Sequence, residues 1–198
     1  MSMPSQEWLV EATDLVKRYG RVEALRGVTL KLPAGQIVGL VGPNGSGKST
    51  FLKLVAGLLH CDGGQVLVRG RKPGVETKKW VAFQPEIDHL YRWMTVRQAL
   101  ELSASVVPDW DAERAATLLE FLNLADERRT PIRHLSRGMR ARLKLVLTLA
   151  RNAPVVLLDE PLSGIDPPSR GRIIKALIGQ WRSDQQVLVL ALGVQLGP

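Results

Sequence analysis

Cysteine is nearly missing from this sequence. Cys61 stands alone, so no internal disulfide can form, and the chain suits a reducing compartment. Long hydrophobic runs are missing too. The longest uninterrupted apolar stretches hold about eight residues, as at 187–194, where a membrane-spanning helix needs roughly twenty. No N-terminal segment has the charged-then-apolar pattern of a signal peptide. Low-complexity tracts and internal repeats are absent, which excludes fibrous, solenoid and disordered architectures. These absences predict one globular domain of 198 residues that stays in the cytosol. Lys plus Arg number 27 against 19 Asp plus Glu, a net charge of +8. A basic balance can serve nucleic acid or an anionic membrane surface. The cations are spread out, however, with no run of five or six and few aromatics between them. A solvated surface is therefore the simpler reading, and no nucleic-acid partner is expected.

The N-terminal stretch reads as strands. Val28, Leu30 and Leu32 alternate with polar residues, as in a half-buried strand. Pro33-Ala34-Gly35 makes a turn. Residues 36–41 form a continuously apolar run that suits a strand buried on both faces. A glycine-rich loop follows, then a helical pattern through Phe51, Leu52, Leu54, Val55, Leu58 and Leu59. Two further strands are expected near 66–68 and 80–83. From Thr95 to Arg151 the period becomes helical, with Ser136 as the N-cap of one helix. Strand character returns at 155–158 and 187–192, with a helix between them starting near Pro167. The prediction is an α/β chain: a nucleotide-binding core from 1–89 and 152–198, interrupted by a helical subdomain at 90–151.

Gly42-Pro43-Asn44-Gly45-Ser46-Gly47-Lys48-Ser49-Thr50 fits the pattern G-x-x-x-x-G-K-[ST], between an apolar strand and a helix. Gly42, Gly45 and Gly47 let the backbone turn tightly and approach phosphates without a Cβ in the way. Successive N–H groups then converge on a β-phosphate at the positive end of the helix. Lys48 supplies a charge for the β- and γ-phosphates, and the Ser49 hydroxyl is placed to ligate Mg²⁺. A second signal is the apolar run Val155-Val156-Leu157-Leu158, which ends abruptly in Asp159-Glu160. Ligands of open α/β sheets bind at the carboxyl ends of strands. Asp159 would face Mg²⁺ through water, and Glu160 could polarise an attacking water as general base. The plainer reading of the pair is a strand ending in solvent.

The order of these motifs resembles the ABC-transporter ATPases over nearly the whole chain. The resemblance implies a P-loop NTPase fold of the RecA-like, ABC ATPase kind: a core sheet, an N-terminal antiparallel β portion and a helical insertion. It implies ATP and Mg²⁺ as cofactors. Tyr19 sits where the family stacks an aromatic on adenine, although an ordinary turn aromatic would look the same. Gln84, at the junction of core and insertion, matches the lid glutamine that contacts Mg²⁺ or the attacking water; a plain surface glutamine is its alternative. Leu135-Ser136-Arg137-Gly138-Met139 resembles the signature segment Leu-Ser-Gly-Gly-Gln, which acts on the nucleotide of a partner ATPase subunit in a head-to-tail dimer. Ser136 and Gly138 match it; Arg137 and Met139 depart. Arg137 either adds charge near the phosphate or points outward. The Arg-Gly-Met form resembles bacterial exporter-type ATPases. Ser163-Gly164-Ile165-Asp166 resembles the D-loop that crosses the dimer interface; its alternative is a turn between strand and helix.

One family feature is missing. A histidine is expected just after the last core strand, but 191–194 read Ala-Leu-Gly-Val, and the chain ends at Gly197-Pro198, sooner than the family usually does. His60, His89 and His134 lie far upstream and read as surface or structural residues. The leading expectation is an ATP-hydrolysing subunit that energises export through a separate membrane-spanning subunit. It would be peripheral at the inner face of the cell membrane, paired as a homodimer or with another ATPase subunit. Two rivals stand beside it. One is a nucleotide-gated subunit with weak or no hydrolysis, favoured by the missing histidine. The other is a soluble ABC protein that does not transport. Among the tryptophans Trp80, Trp93 and Trp110, which cluster near the insertion, the stretch Tyr91-Arg92-Trp93-Met94 is the candidate docking site for the membrane subunit. Arg128, Arg129, Arg133, Arg140 and Arg142 are expected to give the signature region a positive face.

Overall fold

The computed structural model describes residues 8–179 and 186–193. Two compact units emerge from one chain that crosses between them. The first comprises Met1–Phe83, Pro154–Asp159 and Arg182–Pro198; the second comprises Gln84–Ala153 and Glu160–Trp181.

The first unit holds two sheets. Strands β1 (Trp8–Tyr19), β2 (Val22–Pro33) and β4 (Gly63–Val68) pair antiparallel in the order β2-β1-β4. Strand β1 was not legible as a particular strand, because its apolar residues are interrupted by register shifts at Ala12/Leu15 and Leu15/Val16 that break the alternation. The second sheet orders β3 (Gln36–Gly42), β7 (Val187–Gly193), β6 (Val155–Asp159) and β5 (Val81–Gln84). Strands β3 and β6 both run parallel to β7. Leu9, Leu15, Leu52, Leu54, Val68, Leu157 and Val189 lie in the core of this unit.

The continuous apolar pattern predicted burial on both faces for 36–41, and β3 departs from that. Val38 and Leu40 pack on the core, but Ile37 is 43% and Val41 65% exposed. Exposure alternates along β3, so one of its faces is uncovered at this edge of the sheet, while β6 in the sheet interior is buried at all five positions. The helix after the loop is also shorter than its apolar period suggested. Helix α1 (Lys48–Val55) stops at Ala56, because Gly57 takes a φ of 69°. The Gly57 N–H donates to the Leu54 carbonyl at 3.1 Å and the Leu58 N–H to that of Lys53 at 2.9 Å. This is a Schellman ending, which leaves Leu58 outside the helix and 56% exposed.

The second unit is helical: α2 (Val96–Val106), α3 (Ala112–Phe121), α4 (Arg137–Leu149) and α5 (Pro167–Gly179). Each of the first three starts on the side-chain cap its sequence offers. Thr95 and Gln98 form a capping box, Asp111 accepts from the Arg114 N–H, and Ser136 accepts from the Met139 N–H at 3.1 Å. Leu118, Leu119, Ile132, Leu143, Leu145 and Val146 are fully buried. No described helix is long and apolar enough to cross a membrane.

Candidate functional site

The loop at 42–50 joins β3 to α1 in the first unit. Gly47 is the N-cap of α1 with a φ of 90°, and no side chain caps the helix. The first N–H groups of any helix lack intrahelical partners, so this end is built to receive an anion. A Cβ on Gly47 would overlap the Ala24 carbonyl oxygen, so the helix start is fitted tightly against β2. The Lys48 ammonium donates to the carbonyls of Gly42 at 2.8 Å and Pro43 at 2.9 Å, which folds its side chain back across the loop. Pro43, Asn44, Gly45 and Ser46 are exposed, and Thr50 is half-buried.

Ser49 and Asp159 are 110 positions apart in sequence, and the fold joins them. The Ser49 hydroxyl donates to Asp159 Oδ1 at 2.8 Å, with Asp159 only 2% exposed at the end of β6. A hydroxyl and a carboxylate are hard oxygen donors of the type Mg²⁺ takes. No cluster of three or more His, Cys, Asp or Glu that could hold a metal occurs among the described residues. The pair fits the way Mg²⁺ is usually held, by one or two protein oxygens together with substrate phosphates.

Tyr19 closes β1 beside the hairpin turn and is 49% exposed, with the Lys17 ammonium 5.7 Å from its ring centroid. Asp62 fastens this strand end, accepting from the Arg18 N–H at 2.6 Å and from Lys17 Nζ at 3.0 Å. Those two bonds, the backbone one first, hold its carboxyl below the ordinary value of 3.8. The ion-paired form is favoured in the folded state, so its stabilisation is present above pH 3.8 and is lost as pH falls through the lowered folded value. Urea unfolding from pH 5 down to pH 3 is expected to show a steeper loss for the native protein than for Asp62→Asn.

The second unit carries Gln84, Glu160 and the signature and D-loop residues. Gln84, Arg137, Glu160 and Ser163 share one cavity of about 390 Å³. Gln84 is 1% exposed, and its Oε1 has no hydrogen-bond partner among the described residues, which rules out a plain surface glutamine. A buried acceptor without a partner suits a cation or a water. Glu160 is held at a φ of 48°, a left-handed conformation that costs a residue with a Cβ of order 1–3 kcal/mol. Such strain concentrates at functional positions, and sequence spacing gave no sign of it.

Ser136 and Arg137 are exposed at the start of α4, and Gly138 and Met139 are half-buried. The Arg137 side chain does not simply point outward: it lies over Gly164, where an added Cβ would collide with its Nε. Ser163 and Gly164 are exposed. Asp166 caps α5 by accepting from the Ser169 N–H at 2.9 Å, which also lowers its pKa. That cap is enough to explain its residue type. Arg140 and Arg142 are not free surface cations either. Arg140 pairs with Asp88 at 2.9 Å, and Arg142 donates to the Leu122 carbonyl at 2.8 Å. Tyr91 and Trp93 are 58% and 67% exposed, with ring centroids 6.0 Å apart. Their backbone is pinned: the Arg133 N–H donates to the Arg92 carbonyl and the Ile132 N–H to that of Met94. Trp80 and Trp110 are half-buried, and His60, His89 and His134 are exposed. Gly193 ends β7 without a histidine; Val194 and Gly197-Pro198 lie outside the described residues.

Comparison with known proteins decides the family. The family described as "ABC transporter" matches residues 25–163. The chain belongs to the ABC transporter family. It is an ABC ATPase domain with the P-loop NTPase fold. The chain is 34% identical over 197 residues to the thiamine import ATP-binding protein ThiQ of Chelativorans sp., covering 96% of this chain and 78% of that protein. It is 31% identical over 175 residues to the linearmycin resistance ATP-binding protein LnrL of Bacillus subtilis, covering 85% of this chain. The chain spans only 56% of LnrL's length. A solved ATP-binding subunit of an ABC transporter superposes with a TM-score of 0.83 at 28% identity, covering 94% of this chain and 80% of that one.

Proposed function

We propose that this ABC domain hydrolyses ATP to drive export through a separate membrane-spanning subunit. The observation that carries the ATPase reading is the Ser49–Asp159 bond beside the uncapped start of α1. In this reading Gly42, Pro43, Asn44, Gly45, Ser46, Gly47 and Thr50 shape the phosphate cradle, and Lys48 leaves its two carbonyls to meet the β- and γ-phosphates. Tyr19 offers its exposed ring to adenine. Ser49 and Asp159 would hold Mg²⁺, which when bound would neutralise charge developing on the phosphates, and Gln84 is read as the glutamine that meets the ion or the attacking water. Glu160 takes a proton from the attacking water. Ser136 and Gly138 present the start of α4 to the nucleotide of a second copy, flanked by Arg137 and Met139. Ser163 and Asp166 lie in the loop that couples the paired sites. Tyr91 and Trp93 form the preformed platform for the membrane subunit, as exposed aromatics on pinned backbone suit an interface. Such a subunit is peripheral at the inner face of the cell membrane. Export rests on the Arg-Gly-Met form of the signature, in keeping with the resistance protein LnrL; ThiQ is named for import.

The test is ATP turnover across a protein-concentration series. A rate per chain that rises with concentration supports a composite site made by two copies. Tight ATP binding with no turnover at any concentration supports the nucleotide-gated reading, for which the missing histidine is the specific observation.

A further inference from the structure

Lysine is among the residues least often buried, yet Lys144 is 7% exposed in the middle of α4, among Leu143, Leu145 and Val146. A buried ammonium is costly unless its donors are used. An ammonium has three, and here three carbonyls face them: Pro85 at 3.1 Å, Glu86 at 2.8 Å and Ile87 at 3.4 Å. These belong to the three residues directly after Gln84. Consecutive carbonyls that converge on one charge fix the path of the backbone that carries them. One helical turn earlier, Arg140 pairs with Asp88 at 2.9 Å and also donates to the Leu135 carbonyl at the start of α4. Residues four apart on a helix share a face, so α4 grips segment 85–88 at two points. Both gripping side chains line the cavity that Gln84 also lines.

We propose that Lys144 is a positioning residue for Gln84. Its ammonium anchors the backbone at 85–87 to the signature helix and so sets where the amide of Gln84 points. The proposal rests on the reading of Gln84 as the glutamine that meets Mg²⁺ or water. Arg140 is the secondary tie, because its exposed partner Asp88 shares the bond with solvent.

The test combines hydrogen exchange with kinetics on Lys144→Met, which keeps chain length and helix propensity but removes every donor. Amide exchange at residues 86–90 is expected to rise at least about tenfold, the scale of losing charge-assisted bonds, with α2 unchanged. ATP kcat is expected to fall about tenfold with KM within about twofold, since the loop at 42–50 is untouched. Adding Lys144→Met to Gln84→Ala should cost nothing further, because one acts through the other. Lys144→Arg keeps the charge and should recover part of kcat; it also serves as the test variant if the methionine protein does not fold, with the same exchange readout. Unchanged exchange at 86–90, or effects in the double variant that multiply, overturn the proposal. If Gln84→Ala itself leaves kcat unchanged, the reading of Gln84 fails instead, and exchange at 86–90 still decides whether Lys144 anchors the segment.

Discussion

Glu160→Gln is expected to lower steady-state ATP turnover by about 10²–10⁴-fold, the range a positioned general base contributes. The substitution keeps size and hydrogen-bonding capacity but removes the basic oxygen. ATP affinity should stay within about threefold, because a group needed only in the transition state costs rate and not binding. Phosphate release and nucleotide titration on the same preparation measure the two quantities. Turnover that survives would assign the base elsewhere. The backbone at Glu160 adds a second arm. Its φ of 48° strains any residue with a Cβ, so Glu160→Gly should abolish turnover without lowering the melting temperature. An ordinary structural carboxylate would not couple a lost activity to retained or improved stability.

Gly47→Ala is expected to weaken ATP binding at least about a hundredfold and to destabilise the fold by at least about 2 kcal/mol, since left-handed backbone costs alanine roughly 1–2 kcal/mol before any contact is counted. The contact adds to that: the new methyl would meet the Ala24 carbonyl, which belongs to β2 and cannot rotate away as a side chain would. The start of α1 must then move, and the N–H groups aimed at phosphate move with it. Gly45→Ala is the matched control. Its φ is 81°, but nothing lies within 4 Å of the new Cβ. It should pay only the backbone strain, with a melting temperature between those of native protein and Gly47→Ala. Equal losses at both positions would show that conformation alone, and not close packing on β2, makes Gly47 necessary.

The chemistry of this molecule was more legible than its edges. The turn at 42–50 and the strand end at 159–160 could be placed because glycines, and an apolar run broken by two carboxylates, mark the local backbone. The cap at Ser136 could be read in the same way. The burial of β3 could not, because an apolar run does not say whether other elements pack over its second face. Gly57 ended α1 early through a bond pattern that the apolar period of Leu58 and Leu59 masked. Lys144 is one of 27 Lys and Arg in the sequence, and its place inside Leu143-Lys144-Leu145-Val146 is a signal: a charge on an apolar helix face needs acceptors waiting for it. What no local pattern could reveal was who supplies them, since Pro85, Glu86 and Ile87 lie nearly sixty positions away.

Arg137 resting on Gly164 makes the signature and the D-loop an epistatic pair. A side chain at 164 would displace the flexible end of Arg137, and a φ of 73° already disfavours one. Alanine at 164 therefore requires the Arg137 side chain to swing aside and the backbone at 164 to bear or relieve its left-handed conformation. A designer who restores the usual glycine at 137 alone leaves a gap above Gly164, and one who restores alanine at 164 alone forces the arginine out into solvent. The effects of substitutions at 137 and 164 are therefore expected to depend on one another.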